Sequence, residues 1–116
     1  MTQIESAAGT SQGSASEKPA YLVAENHIID PEAFKEYASA VLATLVPFGG
    51  RLIVRAGATE TLEGTPPGRM VIVEFENMEK ARSWWDSEAY RRILPLRLKA
   101  ATGRVFFAEG VAPSGN

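Results

Sequence analysis

The sequence predicts an α+β domain of βαββαβ order. Three observations lead there. Four short segments are rich in β-branched and aromatic residues: 20–29, the stretch from Arg51 onward, 69–76 and 104–109. Two longer segments, 31–48 and 77–101, carry apolar residues at helical spacing. Turn-forming Asp, Asn, Gly and Pro punctuate the boundaries between them.

The first strand, 20–29, ends at Asp30-Pro31, because the residue before a proline is pushed out of the helical region. Asp30 is then the N-cap of the first helix and Pro31 its first residue. The carboxylate accepts free backbone N–H groups, and the proline has no N–H to leave unpaired. Phe34, Tyr37, Val41, Leu45 and Phe48 recur at steps of three and four and form one apolar stripe. Pro47 falls near the end of that helix, so its last turn is expected to break, and Gly49-Gly50 supplies the stop.

The second strand starts at Arg51. Leu52, Val54 and Ala56 alternate with Arg51, Ile53 and Arg55, and the strand is expected to continue to Glu63 with a bulge at Gly57. Residues 64–68 (GTPPG) form a turn. In the third strand, 69–76, Val71, Val73 and Phe75 face one way, and Met70, Ile72 and Glu74 the other. Asn77 caps the second helix, with Glu79 in its first turn. Asp86-Ser87 breaks the helix, Ser87 acting as a second cap. A further helical piece runs from Glu88 to about Ala101 with an interruption or kink at Pro95, and Thr102-Gly103 ends it before the last strand.

Two such βαβ halves close a core only when both helices cover one sheet face. Right-handed crossovers then give an antiparallel sheet of order 4-1-3-2, the ferredoxin-like arrangement. The second sheet face is left bare, and a second copy is expected to cover it as a dimeric α/β barrel. The domain spans 19–111. Residues 1–18 and 112–116 carry almost no large apolar side chains and are expected to be flexible tails.

Composition excludes several function classes. The chain has 116 residues, no Cys, one His and a formal net charge of −2. Without Cys there is no disulfide frame, no thiol catalysis and no thiolate zinc site. The acidic balance argues against nucleic acid as a partner. No apolar run approaches a membrane span, and the N-terminus does not read as a signal peptide, so a cytoplasmic protein is expected. No phosphate-binding glycine pattern occurs: Gly49-Gly50 follows a helix, whereas a nucleotide loop opens one.

The candidate chemistry lies in a few side chains. Glu74, Arg55 and His27, with Glu25, are expected on the bare sheet face. There they form either a cross-strand ion pair or the polar floor of a pocket, with Glu74 as base or anchor and Arg55 binding an anion. His27, the only His, is a surface residue, a general acid/base or a lone iron ligand. Trp84 and Trp85 point about 100° apart on a helix, so one enters the core, and Trp85 is taken as the one at a pocket or interface. Tyr90 and Arg97 share a helical face. Arg97 binds a substrate carboxylate, or pairs with Asp86 or Glu88 across the helix break. Tyr37, Trp85, Tyr90 and Arg97 form the candidate ligand set.

Asp30-Pro31-Glu32-Ala33-Phe34-Lys35-Glu36-Tyr37 sits in a series of short motifs: Gly49-Gly50-Arg51, Val54-Arg55-Ala56-Gly57, Leu62-Glu63-Gly64, and Trp84-Trp85-Asp86-Ser87-Glu88-Ala89-Tyr90 with Leu96-Arg97 and Ala100-Ala101. In order and spacing they resemble the family known as domain of unknown function 1330, over about residues 20–110. One departure is Glu88, where that family often has proline, a change confined to the start of the following helix.

The resemblance implies a ferredoxin-like protomer of the dimeric α/β barrel superfamily. Its relatives include cofactor-free monooxygenases, lactone isomerases, haem-degrading enzymes and dye-decolorising peroxidases. Fold alone does not choose among these. The function expected is binding of a small anionic or aromatic metabolite by a homodimer, with or without a catalytic role that needs no cofactor. The alternatives are a non-catalytic binding or stress-response module and, less favoured, a haem-handling protein centred on His27.

Overall fold

The computed structural model describes residues 17–113. The chain order is β1 (Ala20–Ile28), α1 (Pro31–Leu45), a 3-10 turn (Val46–Phe48), β2 (Arg51–Arg55), β3 (Arg69–Phe75), α2 (Met78–Trp85), α3 (Glu88–Ala100) and β4 (Ala101–Glu109). The four strands form one antiparallel sheet of order β2-β3-β1-β4, the order that the crossover argument requires. The expected N-terminal tail lies almost wholly outside the described residues, as does most of the C-terminal one.

The three predicted caps are formed. Asp30 Oδ1 accepts from the Ala33 N–H at 3.2 Å, Asn77 Oδ1 from Lys80 at 2.9 Å and Ser87 Oγ from Tyr90 at 3.2 Å. The Ser87 hydroxyl also donates to the Trp84 carbonyl at 2.7 Å, so one side chain closes α2 and opens α3. The helix break at Pro47 is the 3-10 turn, and Gly49 follows it at φ +71°.

The core fills the gap between the helices and one sheet face. Along β1, Ala20, Leu22, Ala24 and Asn26 are buried on that side. Val73 and Phe75 extend the row on β3, and Leu45, Ala81, Trp84 and Tyr90 close it from the helices. Tyr21, Val23, Glu25 and His27 alternate onto the opposite face. No element among the described residues covers that face, and Phe106 on it is 42% exposed. Two charge groups cross it. Arg51 pairs with Glu74, which also accepts from the Tyr21 hydroxyl at 3.2 Å, and Arg104 pairs with Glu25 at 3.2 Å.

Several element boundaries and one helix break differ from the sequence expectation. β1 ends at Ile28, one residue short of the expected end. β2 ends at Arg55 rather than Glu63: Ala56 has φ +41°, and after its N–H bonds to the Met70 carbonyl the chain leaves the sheet. α3 runs through Pro95 without a break. Pro95 is exposed, so its missing hydrogen bond costs no buried group, and Tyr90, Ile93, Leu94 and Arg97 anchor the turns around it. β4 begins at Ala101, and Thr102-Gly103 belongs to it. Gly103 has φ +137°, and a Cβ there would lie 1.9 Å from the Glu25 carbonyl oxygen. The glycine is a close strand–strand approach, not a helix stop.

The bulge falls at Ile53, not Gly57. Arg51 faces Glu74 and Leu52 faces Val73, but Val54 then faces Ile72 and Arg55 faces Val71. One extra residue on β2 turns every later side chain to the other face. This single shift decides which arginine reaches which side of the sheet.

Candidate active site

A cavity of about 80 Å³ lies between the helices and the sheet and opens to solvent. Its apolar end is the core itself: Leu22, Val73, Leu45, Leu52 and Trp84. Toward the end of β1 the walls become polar, with Asn26, Arg55, Arg69 and Arg97. Tyr37 of α1 and Tyr90 of α3 complete the lining. An apolar chamber with a few convergent polar groups is the usual form of a small-molecule site.

The charges in this chamber are of one sign. No Asp or Glu among the described residues lines it. Among the described residues, Arg55, Arg69 and Arg97 form no ion pair with a carboxylate. Asp86 and Glu88, the alternative partners for Arg97, are taken by Arg91 and Arg92 at 3.1 Å each. Arg97 is only 7% exposed. Arg55 and Arg69 are more open, and the Arg69 guanidinium rests 5.5 Å above the Phe34 ring. The Arg97 guanidinium thus faces the cavity with no carboxylate partner among the described residues, and its forked N–H donors suit an anionic group.

The Tyr37 and Tyr90 hydroxyls are hydrogen-bonded to each other at 3.0 Å. Burial pushes the Tyr37 phenol well above its ordinary pKa, and the neighbouring Tyr90 adds to the shift. Burial likewise raises Tyr90. The nearby positive charge of Arg97 opposes both shifts. Both phenols therefore hold their protons at neutral pH. One of the two protons is spent within the pair, and the other can be donated to a bound oxygen.

The structure brings Tyr37, Tyr90 and Arg97 together as the sequence indicated, but it does not assemble the set of Glu74, Arg55 and His27. Because of the bulge at Ile53, Arg55 lines the cavity while Glu74 sits on the bare face, and Arg51 takes the expected place of Arg55 beside Glu74. His27 is exposed on the bare face as well. Among the described residues no three His, Cys, Asp or Glu cluster as a metal site. Trp84 is the tryptophan that enters the core, and it rather than Trp85 also reaches the cavity. Trp84 lines the cavity, fully buried, with its Nε1–H bonded to Thr44 Oγ1 at 2.9 Å. Trp85 packs edge-on against Phe107 at 6.4 Å and lies under the Arg91 guanidinium at 5.3 Å, outside the cavity lining.

The family profile described as "Domain of unknown function (DUF1330)" matches residues 19–111, nearly the whole described chain. The chain belongs to the DUF1330 family. No curated protein matches the sequence significantly. Solved structures share the fold of this DUF1330 chain at low identity. A protein of unknown function from Rhodopseudomonas palustris superposes with a TM-score of 0.67 at 16% identity, over 84% of this chain and 85% of its own. A dimeric ferredoxin-like protein of unknown function from Thermobifida fusca gives 0.55 at 13%, over 82% and 92%. SnoaB, a cofactor-independent oxygenase from Streptomyces nogalater, gives 0.54 at 8%, over 86% and 99%. These likenesses establish a ferredoxin-like α+β fold.

Two polar residues of the cavity lining escaped the sequence reading: Asn26 and Arg69. Asn26 had a signal, since it is the one polar residue in the alternating row Ala20, Leu22, Ala24, Asn26. Arg69 had none, being the first residue of a strand after a turn. No helix of the described residues is long and apolar enough to cross a membrane.

Proposed function

We propose that this DUF1330 chain binds a small, partly apolar organic acid in the helix–sheet cavity, with the acid group on Arg97 and the apolar part against Trp84, Leu45 and Val73. The observation that carries this reading is Arg97, buried at 7% exposure in an apolar chamber and without a carboxylate partner among the described residues. The neutral Tyr37–Tyr90 pair beside it offers one O–H to a carbonyl or enolate oxygen. That supports the catalytic form of the proposal, chemistry on the bound acid without a resident cofactor. The non-catalytic form is a binding module using the same contacts.

A titration separates these. Phenylacetate and benzoate are expected to raise the melting temperature in proportion to the logarithm of their concentration. Neutral phenylacetamide is expected to do so far less. Equal effects from acid and amide would remove Arg97 from the reading. Consumption of the bound acid under air marks an enzyme, and its unchanged recovery marks a binder.

The second part of the proposal is a homodimer through the bare sheet face. Val23, Ile72, Val54 and Phe106 supply an apolar surface there, and Glu74 and Glu25 already have Arg partners, which lowers the cost of burying them. The dimeric Thermobifida protein of like fold supports this. Wild-type protein is expected to sediment as a dimer at micromolar concentration, and Phe106→Asp as a folded monomer. A wild-type monomer, or a Phe106→Asp dimer, contradicts the pairing.

A further inference from the structure

Asn26 ends the helix-facing row of β1 and is 4% exposed. It lines the cavity, and its Oδ1 has no hydrogen-bond partner among the described residues. Buried amide groups are nearly always paired, because an unpaired one forfeits its hydration for nothing. Packing does not explain an amide here. The rest of the row is Ala20, Leu22 and Ala24, and an apolar side chain at 26 would continue it.

Neither flanking strand supplies a donor to this oxygen. Gly103 stands opposite on β4, where the Glu25 carbonyl leaves no room for a side chain. Arg69 stands opposite on β3, but its guanidinium lies over the Phe34 ring. The side on which Asn26 meets empty space is the cavity, which also contains the buried, acid-free Arg97.

We propose that Asn26 Oδ1 accepts a hydrogen bond from the ligand's own hydroxyl or amine while Arg97 holds its anionic group, so that the site selects small acids that carry a donor over the same acids without one. This rests on the reading of the cavity as an acid-binding site, and adds a substrate class to it: hydroxy or amino acids on an aromatic or branched frame. A site that pairs a donor leaves its acceptor orphaned when the donor is missing, which makes the discrimination steep.

The test is a matched series measured by calorimetry: phenylacetate, mandelate, 3- and 4-hydroxyphenylacetate, and the methyl ether of each hydroxy acid. At least one hydroxy acid is expected to bind about tenfold or more tighter than phenylacetate, a difference of about 1.4 kcal/mol. Its methyl ether, which accepts but does not donate, is expected to lose that gain. In Asn26→Leu the series levels, and the ligand-free protein melts at a higher temperature because the unpaired oxygen is gone. If phenylacetate binds through Arg97 but every hydroxy acid stays within about twofold of it, solvent supplies the donor; the inference is overturned and the acid-binding reading stands. A hydroxyl preference that survives in Asn26→Leu overturns it too. If no acid in the series binds, both readings fall. The wild-type series decides the question even if Asn26→Leu does not fold.

Discussion

Replacing Arg97 by Met is expected to weaken acid binding by more than about tenfold while leaving the fold as stable as wild type or more so. The two effects come from one fact. Arg97 is buried beside Tyr37 and Tyr90, and among the described residues no carboxylate faces it. In the free protein its charge has lost water and gained no ion partner. A linear apolar side chain of similar length removes that cost, and buried charges exchanged for apolar residues leave stability unchanged or raise it by about 1–4 kcal/mol. With ligand present, the guanidinium supplies charge-assisted hydrogen bonds in a fork that matches a carboxylate. Losing a buried charged contact of this kind costs about 2–5 kcal/mol of binding, so affinity should fall more than tenfold. Arg97→Lys keeps the charge without the fork and should fall between. Thermal melts with and without phenylacetate check both halves. A large loss of stability in Arg97→Met without ligand would mean that the side chain holds the fold rather than a ligand.

Trp84→Ala is expected to destabilise the fold severely, and Trp85→Ala much more mildly. Trp84 is fully buried and stacks against Phe75 at 5.7 Å and Tyr90 at 4.2 Å. It joins α2 to α1 through its bond to Thr44 and closes the apolar end of the cavity. Removing a fully buried Trp costs about 3–5 kcal/mol, a large share of the roughly 5–15 kcal/mol that stabilises a small domain. Trp85 is half-buried and flanked by an exposed Arg91, so its truncation leaves a dent that water can fill. Urea unfolding should show the midpoint of Trp84→Ala falling well below that of Trp85→Ala, with similar slopes. Equal midpoints would contradict the assignment of Trp84 to the core.

The adjacency of the two tryptophans shows why part of the site could be read in the sequence and part could not. Helical spacing establishes that Trp84 and Trp85 point apart, but not which one faces the sheet, since that depends on how α2 docks. Tyr37 was legible as part of the apolar stripe of α1, and Tyr90 and Arg97 because seven residues put them on one face of α3; all three also fall in the motifs that resemble the DUF1330 family. The strand order was legible because connection handedness leaves few alternatives. Arg55 was misplaced because period-2 reading carries an error past any bulge, and nothing in Leu52-Ile53-Val54 marks where the extra residue falls. Arg51 and Arg55 are four apart on β2. Without the bulge they would share a face, and with it one pairs with Glu74 while the other enters the cavity. Gly103 misled in the opposite direction. A glycine after a helix suggests a stop, but here it lets β4 approach the Glu25 carbonyl.

The most direct measurement is an NMR titration of labelled wild-type protein with phenylacetate, following side-chain N–H signals. An anion on the helix side of the sheet should move the Arg97 Nε–H, the Asn26 amide and the Trp84 Nε1–H together, at one saturating affinity. The signals of His27, Arg51 and Arg104 on the opposite face should stay still. Shifts confined to that opposite face, with Arg97 unmoved at saturation, would contradict a ligand site between helices and sheet.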